Sequence, residues 1–399
     1  MIPELRQRYN AAFTESQYEA MVKELNRTMY WPVDFRVAET PLFLDGPATQ
    51  ALVQASTDIV RQLSTPEFRR HAATAIPAGL EVPKETPFPH FLVIDFALCR
   101  DASGAISPQL IELQGFPTVA CWQALLSGAY RKHFPVIPAD FTPYFGGLDE
   151  AGYLDTLRSS IVGSALAENV VLLEIEPEQQ KTRIDFACTH AFLGVRPMCV
   201  TKIGRRGRSL FYFSGGREVP IQRLYNRVIF DELLRKKPAM KFSFSDDLDV
   251  EWAGHPNWYF RISKHTLPFL TGPHVPACRF VSDLKSIPAD LENYVCKPLY
   301  SFAGLGVDIA PTAEKLATLS NPAEWILQRK VEYAPVLATP DGPAKAEVRM
   351  IFAGDATSMP RLINQLVRLT KGAMHGVDFN KGKTWVGASA GFHPKIAGN

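Results

Sequence analysis

The chain has 399 residues, of which 46% are hydrophobic and 21% charged. These proportions are typical of a globular protein that buries a sizeable core in more than one domain, and they exclude a wholly disordered chain. The 43 Lys and Arg residues against 41 Asp and Glu residues give a net charge of +2, which is too small to attract a polyanion through bulk charge. We therefore expect no nucleic-acid partner.

The N-terminal residues and the cysteines indicate the compartment. The first residues, MIPELRQRYN, lack the apolar stretch of a secretory signal, and no uncharged apolar run reaches the ~18 residues that span a membrane. We expect a cytoplasmic protein with no membrane partner. The six cysteines are scattered without a CxxC pair, which predicts reduced, mostly buried thiols.

The first 80 residues have helical patterns. Ser16 and Glu19 form a capping-box pattern that predicts the start of one helix, and a second helix is predicted from Pro47 to Leu63. Closely spaced prolines between residues 76 and 89 then indicate an extended connection. We predict an N-terminal helical region over residues 1–80.

Short apolar runs follow. FLVIDFAL and QLIELQ predict two paired, buried strands, and ENVVLLEI predicts another. Further strands, broken at glycines, are predicted up to a short helix from Asp231 to Lys237. Arg205, Arg206 and Arg208 lie in one of the turns, where they are interpreted either as a solvated hairpin tip or as an RNA-binding surface. This segment is predicted as an α/β domain over residues 81–248.

The last third of the chain predicts more strands. Three strand-like pieces, NWYFRISKHTLPFL, NYVCKPLYSFAGLGVDIAP and EWILQRKVEY, belong to a predicted domain over residues 249–336. The segment 337–399 supplies AEVRMIF, RLINQLVRLT and KTWVGAS. GASAG at residues 387–391 matches a serine-hydrolase elbow, but only eight residues follow it and they contain just His393. We therefore interpret Ser389 as a strand-end residue.

Two lysines and a glycine loop predict a nucleotide site. Lys297 ends a strand and precedes a small-residue loop from Ser301 to Gly306, in which Gly304 and Gly306 allow the backbone to approach phosphate groups closely. Lys264 lies about thirty residues upstream. Either lysine alone is interpreted as a surface cation, whereas their joint spacing favours binding of phosphates.

An apolar strand downstream completes this prediction. WILQRKVEY contains Gln328 and Glu332, and its edge offers backbone donors and acceptors to an adenine ring.

Three polar residues in apolar strands predict a metal site. Asp95 lies within FLVIDFAL, and Glu112 and Gln114 lie two residues apart in QLIELQ, so that both point to one face. A buried carboxylate needs a cation, and oxygen ligands of this kind suit octahedral magnesium. The alternative is that these side chains lie in water at strand ends.

The order of LIELQGFPT, ISKHTLPFL, VCKPLYSFAGLGVDI and ILQ resembles the ATP-grasp superfamily in its rearranged-order branch, the glutathionylspermidine synthetase-like proteins. Glu112 matches the Glu of a Glu-x-Asn strand, and Gln114 stands at its Asn. The other matches are a metal aspartate, two nucleotide lysines and the Gln that ends the hinge strand, namely Asp95, Lys264, Lys297 and Gln328. The resemblance covers roughly residues 90 to 390.

The resemblance implies an α/β (α+β) fold with an N-terminal helical region, a substrate-side domain and a nucleotide-clasping lid. The implied activity is that of an ATP- and Mg²⁺-dependent carboxylate–amine ligase that forms an amide or peptide bond through an acyl phosphate. Its partners would be small-molecule or peptide carboxylates and amines.

Three differences from the family leave an alternative open. Val93 stands where the family has Arg, residues 302–304 stand at its Arg-Glu-Gly, and the Asn is Gln114. A catalytically degenerate protein that binds nucleotide as a sensor or partner subunit is therefore the second hypothesis. The candidates to replace the missing arginines follow apolar strand residues, where the other interpretation is an ion pair: Arg227, Arg349 and Arg368.

Overall fold

The computed structural model describes residues 2–301, 305–372 and 380–395. The α-helices in this part of the chain are α1 (Pro3–Ala12), α2 (Glu15–Thr28), α3 (Gly46–Leu63), α4 (Pro66–Ala72), α5 (Ala120–His133), α6 (Glu150–Ile161), α7 (Arg183–Leu193), α8 (Phe230–Lys236), α9 (Asn257–Arg261) and α10 (Ala313–Ala317). A short 3-10 helix, Lys264–Phe269, follows α9.

The strands are β1 (Leu42–Phe43), β2 (Phe91–Arg100), β3 (Ile106–Gln114), β4 (Phe141–Thr142), β5 (Val170–Glu174), β6 (Arg196–Cys199), β7 (Gly204–Arg206), β8 (Ser209–Ser214), β9 (Arg217–Ile221), β10 (Arg223–Asn226), β11 (Glu251–Ala253), β12 (Cys278–Phe280), β13 (Tyr294–Pro298), β14 (Trp325–Arg329), β15 (Lys345–Ala353), β16 (Arg361–Thr370) and β17 (Gly387–Pro394).

A central sheet runs in the order β1-β17-β16-β15-β2-β3, with β4 beside β17. Its pairings are antiparallel except for the short β1–β17 contact. Because successive strand residues point to opposite faces, the even-numbered apolar residues of β2 pack into a core with α3, while Asp95 points to the other face. This second face carries the charged residues of the candidate site.

Three smaller sheets complete the described structure. The first is parallel, in the order β11-β10-β5-β6, and its strand β5 is buried along its whole length. The others are the antiparallel sheets β12-β14-β13 and β7-β8-β9. The predicted pairing of FLVIDFAL with QLIELQ is confirmed by β2 and β3, and the strand predicted at ENVVLLEI is β5.

The central sheet crosses the predicted domain boundaries. Strands β2 and β3 come from the segment 81–248, whereas β15, β16 and β17 come from the segment 337–399. The division of the chain into domains itself stays a prediction.

Two helix predictions need adjustment. The cap predicted at Ser16 is wrong, because Thr14 caps α2 by accepting a hydrogen bond from the backbone N–H of Gln17 at 3.3 Å. The second predicted helix is confirmed as α3, which begins at Gly46 after a cap by Asp45. No separate helix was predicted at the position of α1, which lies within the predicted helical region over residues 1–80.

One strand prediction is wrong, and the start of another is shifted. NWYFRISKHTLPFL forms α9 and the 3-10 helix, because Ser263 and Thr266 satisfy each other's backbone N–H groups in a capping box. KTWVGAS becomes a strand only at Gly387, since Trp385 adopts a left-handed backbone with φ 60°. Ser389 therefore lies inside β17 rather than at its end, and its buried hydroxyl donates to the Thr40 carbonyl at 2.6 Å.

The six cysteines are free, and four of them are buried, which confirms the prediction that the thiols are mostly buried. Over the described ranges, we find no helix that combines the length and the apolar character needed to cross a membrane.

Candidate functional site

A row of charged side chains crosses one face of the central sheet. Glu112 of β3 faces Asp95 of β2, which in turn faces Arg349 of β15. Glu347 lies two residues before Arg349 and faces Arg368 of β16. Facing residues of antiparallel strands share a side of the sheet, so these five residues form a continuous set, called here the charged row.

Asp95 is buried at the middle of the charged row and contacts two arginines. Arg349 binds it through two hydrogen bonds of 2.6 Å, from Nε to Oδ1 and from Nη2 to Oδ2. Arg368 donates from Nη2 to Oδ2 at 3.0 Å. The sequence predicted a cation beside this carboxylate, and the structure places two guanidinium groups there. Its role as a magnesium ligand stays a prediction.

Glu347 and Tyr333 belong to the same network and were not predicted. Arg368 also pairs with Glu347, whose other oxygen accepts from the Tyr333 hydroxyl at 3.0 Å. Burial, together with the nearby Glu347 charge, raises the pKa of Tyr333 well above its usual value. The signal for Glu347 was present in the sequence: it is an acid inside an apolar strand, as Asp95 is.

A cleft lies at the β3 end of the charged row. Lys264, at the start of the 3-10 helix, donates to the Ser301 carbonyl at 2.6 Å, and its Nζ lies 3.7 Å from Glu112 Oε2. Gln114 donates from Nε2 to Glu112 Oε1 at 2.7 Å, so the two side chains do share a face. The structure thus brings together four predicted site residues. The other lining residues are Leu113, Tyr259, Ser263, Leu299 and Tyr300.

Lys297 is held behind this cleft by a bulge in β3. The register of β2 and β3 shifts beside Asp95, so Ile111 has no facing residue in β2. The Ile111 carbonyl accepts from Lys297 Nζ at 3.0 Å, and Gln328 Oε1 accepts from the same group at 2.6 Å. Gln328 in turn donates to the Leu110 carbonyl at 3.2 Å. Gln328 therefore anchors Lys297 in the described conformation.

The charge of Lys297 is poorly solvated. Burial lowers the pKa of Lys297, and the neighbouring Glu112 carboxylate opposes that shift while Lys264 adds to it. The three residues are thus close enough for their charges to interact.

Three further residues were predicted to bind the nucleotide: Gly304, Gly306 and Glu332. Gly306 has φ +75°, and a Cβ there would meet Pro298 Cγ at 3.1 Å, so this position favours glycine. Gly304 was predicted as part of the phosphate loop and lies outside the described residues. Glu332 is exposed and follows β14, where nothing tests its predicted role.

Arg227 joins the site indirectly. It forms a buried ion pair with Asp185 at 2.7 Å and donates to the Thr118 carbonyl at 3.1 Å. The Thr118 hydroxyl accepts from Arg349 Nη1 at 3.1 Å. Asp185 also accepts from the backbone N–H of Trp122 in the first turn of α5. Two of the three predicted arginines thus lie in the charged row, and the third reaches it through one residue.

The arginine turn is neutralised locally. Each of its arginines pairs with an acid, at distances of 2.6 to 3.0 Å, in the pairs Arg205–Asp246, Arg206–Glu218 and Arg208–Asp249. These exposed pairs match the solvated hairpin tip.

Across the described ranges, no group of three or more His, Cys, Asp and Glu side chains is placed to hold a metal ion. Gln114, which carries an amide oxygen, is not one of these four residue types.

Neither a protein-family model nor a curated protein matches the chain. Among solved structures, the apo form of a glutathione synthetase-like effector (GSS30) from Globodera pallida matches with a TM-score of 0.57 and 9% sequence identity, over 99% of each chain. A protein assigned as a gamma-glutamylcysteine synthetase from Methylobacillus flagellatus KT matches over 84% of each chain, with a TM-score of 0.34 and 12% identity.

The match to the effector shows a shared overall fold and, at 9% identity, the fold alone. The architecture is mixed α/β, consistent with the ATP-grasp-like fold that the sequence predicts.

Proposed function

We propose that this chain is an ATP-dependent carboxylate–amine ligase that forms an amide or peptide bond through an acyl phosphate. The observation that carries the proposal is the convergence of Lys264, Glu112 and the Ser301 carbonyl on one cleft at the end of the charged row. Buried cations beside a glycine-containing loop suit the phosphates of a nucleotide. The fold shared with a glutathione synthetase-like protein supports the same class of reaction.

The proposed reaction has two steps. An oxygen of the substrate carboxylate attacks the γ-phosphorus of ATP, the bond to the bridging oxygen breaks, and ADP leaves. The amine then attacks the acyl carbon, phosphate leaves with the bonding electron pair, and the nitrogen loses a proton to give the amide. Positioning and charge stabilisation by fixed groups supply most of the acceleration in such a transfer.

In this proposal the lysines and arginines have separate roles. Lys264 contacts the phosphates of ATP, and Lys297 adds buried positive charge next to Glu112. Arg349 and Arg368 face the substrate carboxylate and the acyl phosphate, because both lie on the charged face of the sheet.

Magnesium, when bound, neutralises phosphate charge. The residues that fit this ion are Glu112 and Gln114, which border the cleft and carry oxygen atoms. Asp95 fits it less well, since its oxygens accept from Arg349 and Arg368.

Nucleotide binding is tested by calorimetric titration of ATP into the wild type and the Lys264→Ala and Lys297→Ala variants. Loss of a charge-assisted contact is expected to weaken binding by ~1.5–3 kcal/mol in Lys264→Ala. Lys297→Ala should also weaken binding, because the buried positive charge beside Glu112 is lost. Lys285→Ala, at an exposed position, is the control and should bind as the wild type does. Wild-type affinity in both site variants would remove the assignment of the phosphate site.

The second candidate is a nucleotide-binding protein that has lost ligation and acts as a sensor or partner subunit. The observation that favours it is the pairing of Arg349 and Arg368 with Asp95 and Glu347, which neutralises the arginines available for catalysis. A panel of carboxylic acids and amines distinguishes the two candidates. ADP release that requires both an acid and an amine supports the ligase, whereas ATP binding without release supports the second candidate.

A further inference from the structure

We infer that Asp95 positions Arg349 and Arg368 and does not bind magnesium, which leaves Glu112 as the carboxylate of the charged row that faces the metal. The part that concerns Glu112 rests on the proposed function. The part that concerns Asp95 rests on the arginine contacts alone.

The hydrogen bonds of Asp95 are already made by the protein. Oδ1 accepts from Arg349 Nε, and Oδ2 accepts from Arg349 Nη2 and Arg368 Nη2. The bidentate pairing with Arg349 is the strongest geometry that a carboxylate and a guanidinium group adopt.

The side chain of Asp95 is more deeply buried than those of its two arginine partners. Its side chain is 1% exposed, whereas those of Arg349 and Arg368 are 14% and 38% exposed. An ion that arrives from solvent therefore meets the two guanidinium groups before it meets the carboxylate. A magnesium–oxygen bond of about 2.1 Å would also place the ion within a few ångströms of both arginines.

The charge balance leads to the same conclusion. Asp95 and Glu347 carry two negative charges, and Arg349 and Arg368 carry two positive charges, so the four groups balance without a metal. A divalent cation at Asp95 would add two uncompensated charges to a partly buried site, which is unfavourable.

Glu112 differs from Asp95 in each of these respects. Its side chain is 21% exposed, and it borders the cleft. One oxygen accepts from the neutral amide of Gln114, and the nearest cation on the other side, Lys264, is 3.7 Å away. A metal can reach this carboxylate without displacing a guanidinium group.

Asp95 instead fixes the direction of both arginines. Arg349 is held by Asp95 on one side and the Thr118 hydroxyl on the other, and Arg368 is held between Asp95 and Glu347. The Nε, Nη1 and Nη2 atoms of Arg349 each donate one hydrogen bond, which defines the plane of its guanidinium group.

The first experiment needs neither nucleotide nor metal. Thermal unfolding of Asp95→Asn in the presence of a chelator is expected to give a midpoint several degrees below the wild type, because two arginines lose their counter-ion. For a metal-binding carboxylate that has no counter-ion in the metal-free protein, the same substitution would raise the midpoint, since it removes a buried negative charge. An unchanged or raised midpoint would overturn the inference. Asp155→Asn, at an exposed position of α6, is the control.

The second experiment uses Mn²⁺ as the metal probe. Electron paramagnetic resonance measures the free ion in the presence of ATP, and from it the Mn²⁺ affinity of the ATP complex. We expect Glu112→Gln to weaken the Mn²⁺ affinity of the ATP complex at least tenfold, and Asp95→Asn by less than threefold. Equal losses in both variants would overturn the inference. If the wild type binds neither ATP nor Mn²⁺, the proposed function fails, and the unfolding experiment still decides the role of Asp95.

A spectroscopic measurement separates positioning from a general structural role. The Nε–H signal of Arg349 in ¹⁵N-labelled protein, assigned through Arg349→Lys, is expected to shift or broaden in Asp95→Asn while the other arginine signals stay in place. An unchanged Arg349 signal would contradict a positioning role.

A second variant covers the case in which Asp95→Asn does not fold. Arg368→Gln removes one donor at a partly exposed position, and Arg349 still occupies both Asp95 oxygens. We therefore expect its Mn²⁺ affinity to remain within twofold of the wild type. A tenfold gain would show that Asp95 accepts a metal once an arginine leaves, which would overturn the inference.

Discussion

Glu174 is the last residue of β5 in the parallel sheet, and its side chain is buried. One of its oxygens accepts from the backbone N–H of Ile175 at 2.7 Å. Burial raises the pKa of Glu174 from 4.5 to about 8, although this backbone hydrogen bond and the charge of Arg227 both oppose the shift. At neutral pH the folded protein therefore keeps a proton on this carboxyl group.

This pKa has a consequence for stability. Between pH 4.5 and about 8, the unfolded chain releases a proton that the folded chain retains, so the free energy of unfolding falls as the pH rises and levels off above that window. Glu174→Gln removes this loss while keeping an acceptor for Ile175. We expect the stability of the variant relative to the wild type to rise by ~2–5 kcal/mol from pH 5 to pH 8.

Urea unfolding at pH 5, 6.5 and 8 measures this difference. Glu178→Gln, at an exposed position four residues after the end of β5, is the matched control and should follow the wild type at each pH. If the free energy of unfolding of Glu174→Gln changes with pH as that of the wild type does, the carboxyl group titrates normally and the assigned environment is wrong.

At the scale of elements, the connection between β3 and α5 joins the cleft to the rest of the site. Gly115 begins it directly after Gln114, and its N–H donates to the Ile262 carbonyl at 2.8 Å. A Cβ at Gly115 would meet the Trp258 carbonyl oxygen at 2.6 Å. Thr118, which contacts Arg349, lies in the same connection. Close backbone packing thus sets the position of this connection.

Gly115→Ala is expected to destabilise the protein by ~1–3 kcal/mol, because the new methyl group meets backbone that cannot move aside. It should also weaken ATP binding, since the connection carries both Gln114 and Thr118. Urea unfolding followed by circular dichroism measures the first effect, and calorimetric titration measures the second.

Gly128→Ala on α5 is the matched control for this substitution. Nothing lies within 4 Å of a Cβ built there, so the change should stabilise the helix by about 0.5–1 kcal/mol. A stability loss at Gly128, or none at Gly115, would contradict the packing described for the connection.

At the scale of the whole molecule, the cleft connects separate sheets. Glu112 belongs to the central sheet, while Lys297 and Gln328 belong to the β12-β14-β13 sheet and bind the β3 backbone. A ligand in the cleft therefore holds both sheets together, and it should raise the midpoint of thermal unfolding of the chain as a unit.

ATP at 100 times its dissociation constant adds about 2.7 kcal/mol to the stability of a one-site protein. For a chain of 399 residues, this corresponds to a shift of about 3 °C. Differential scanning fluorimetry measures the shift, and Lys264→Ala at the same ATP concentration should show less of it. A full shift in that variant would place the nucleotide elsewhere.

Much of the architecture could be predicted from sequence because short-range patterns determine it. The apolar run around Asp95 predicts a buried strand, since each apolar residue gains from leaving water whatever its partner is. The same pattern failed for NWYFRISKHTLPFL, where the aromatic residues suit a strand but a local capping box involving Ser263 closes a 3-10 helix.

For the site, the apolar runs around Asp95 and Glu112 were enough to predict that both carboxylates lie in strands and that a buried carboxylate requires a cation. Which cation contacts which carboxylate depends on how distant strands pair. Arg349 is 254 positions from Asp95 along the chain, and their contact exists because β15 lies beside β2 in the sheet. Strand order of this kind depends on long-range packing, which no local pattern encodes.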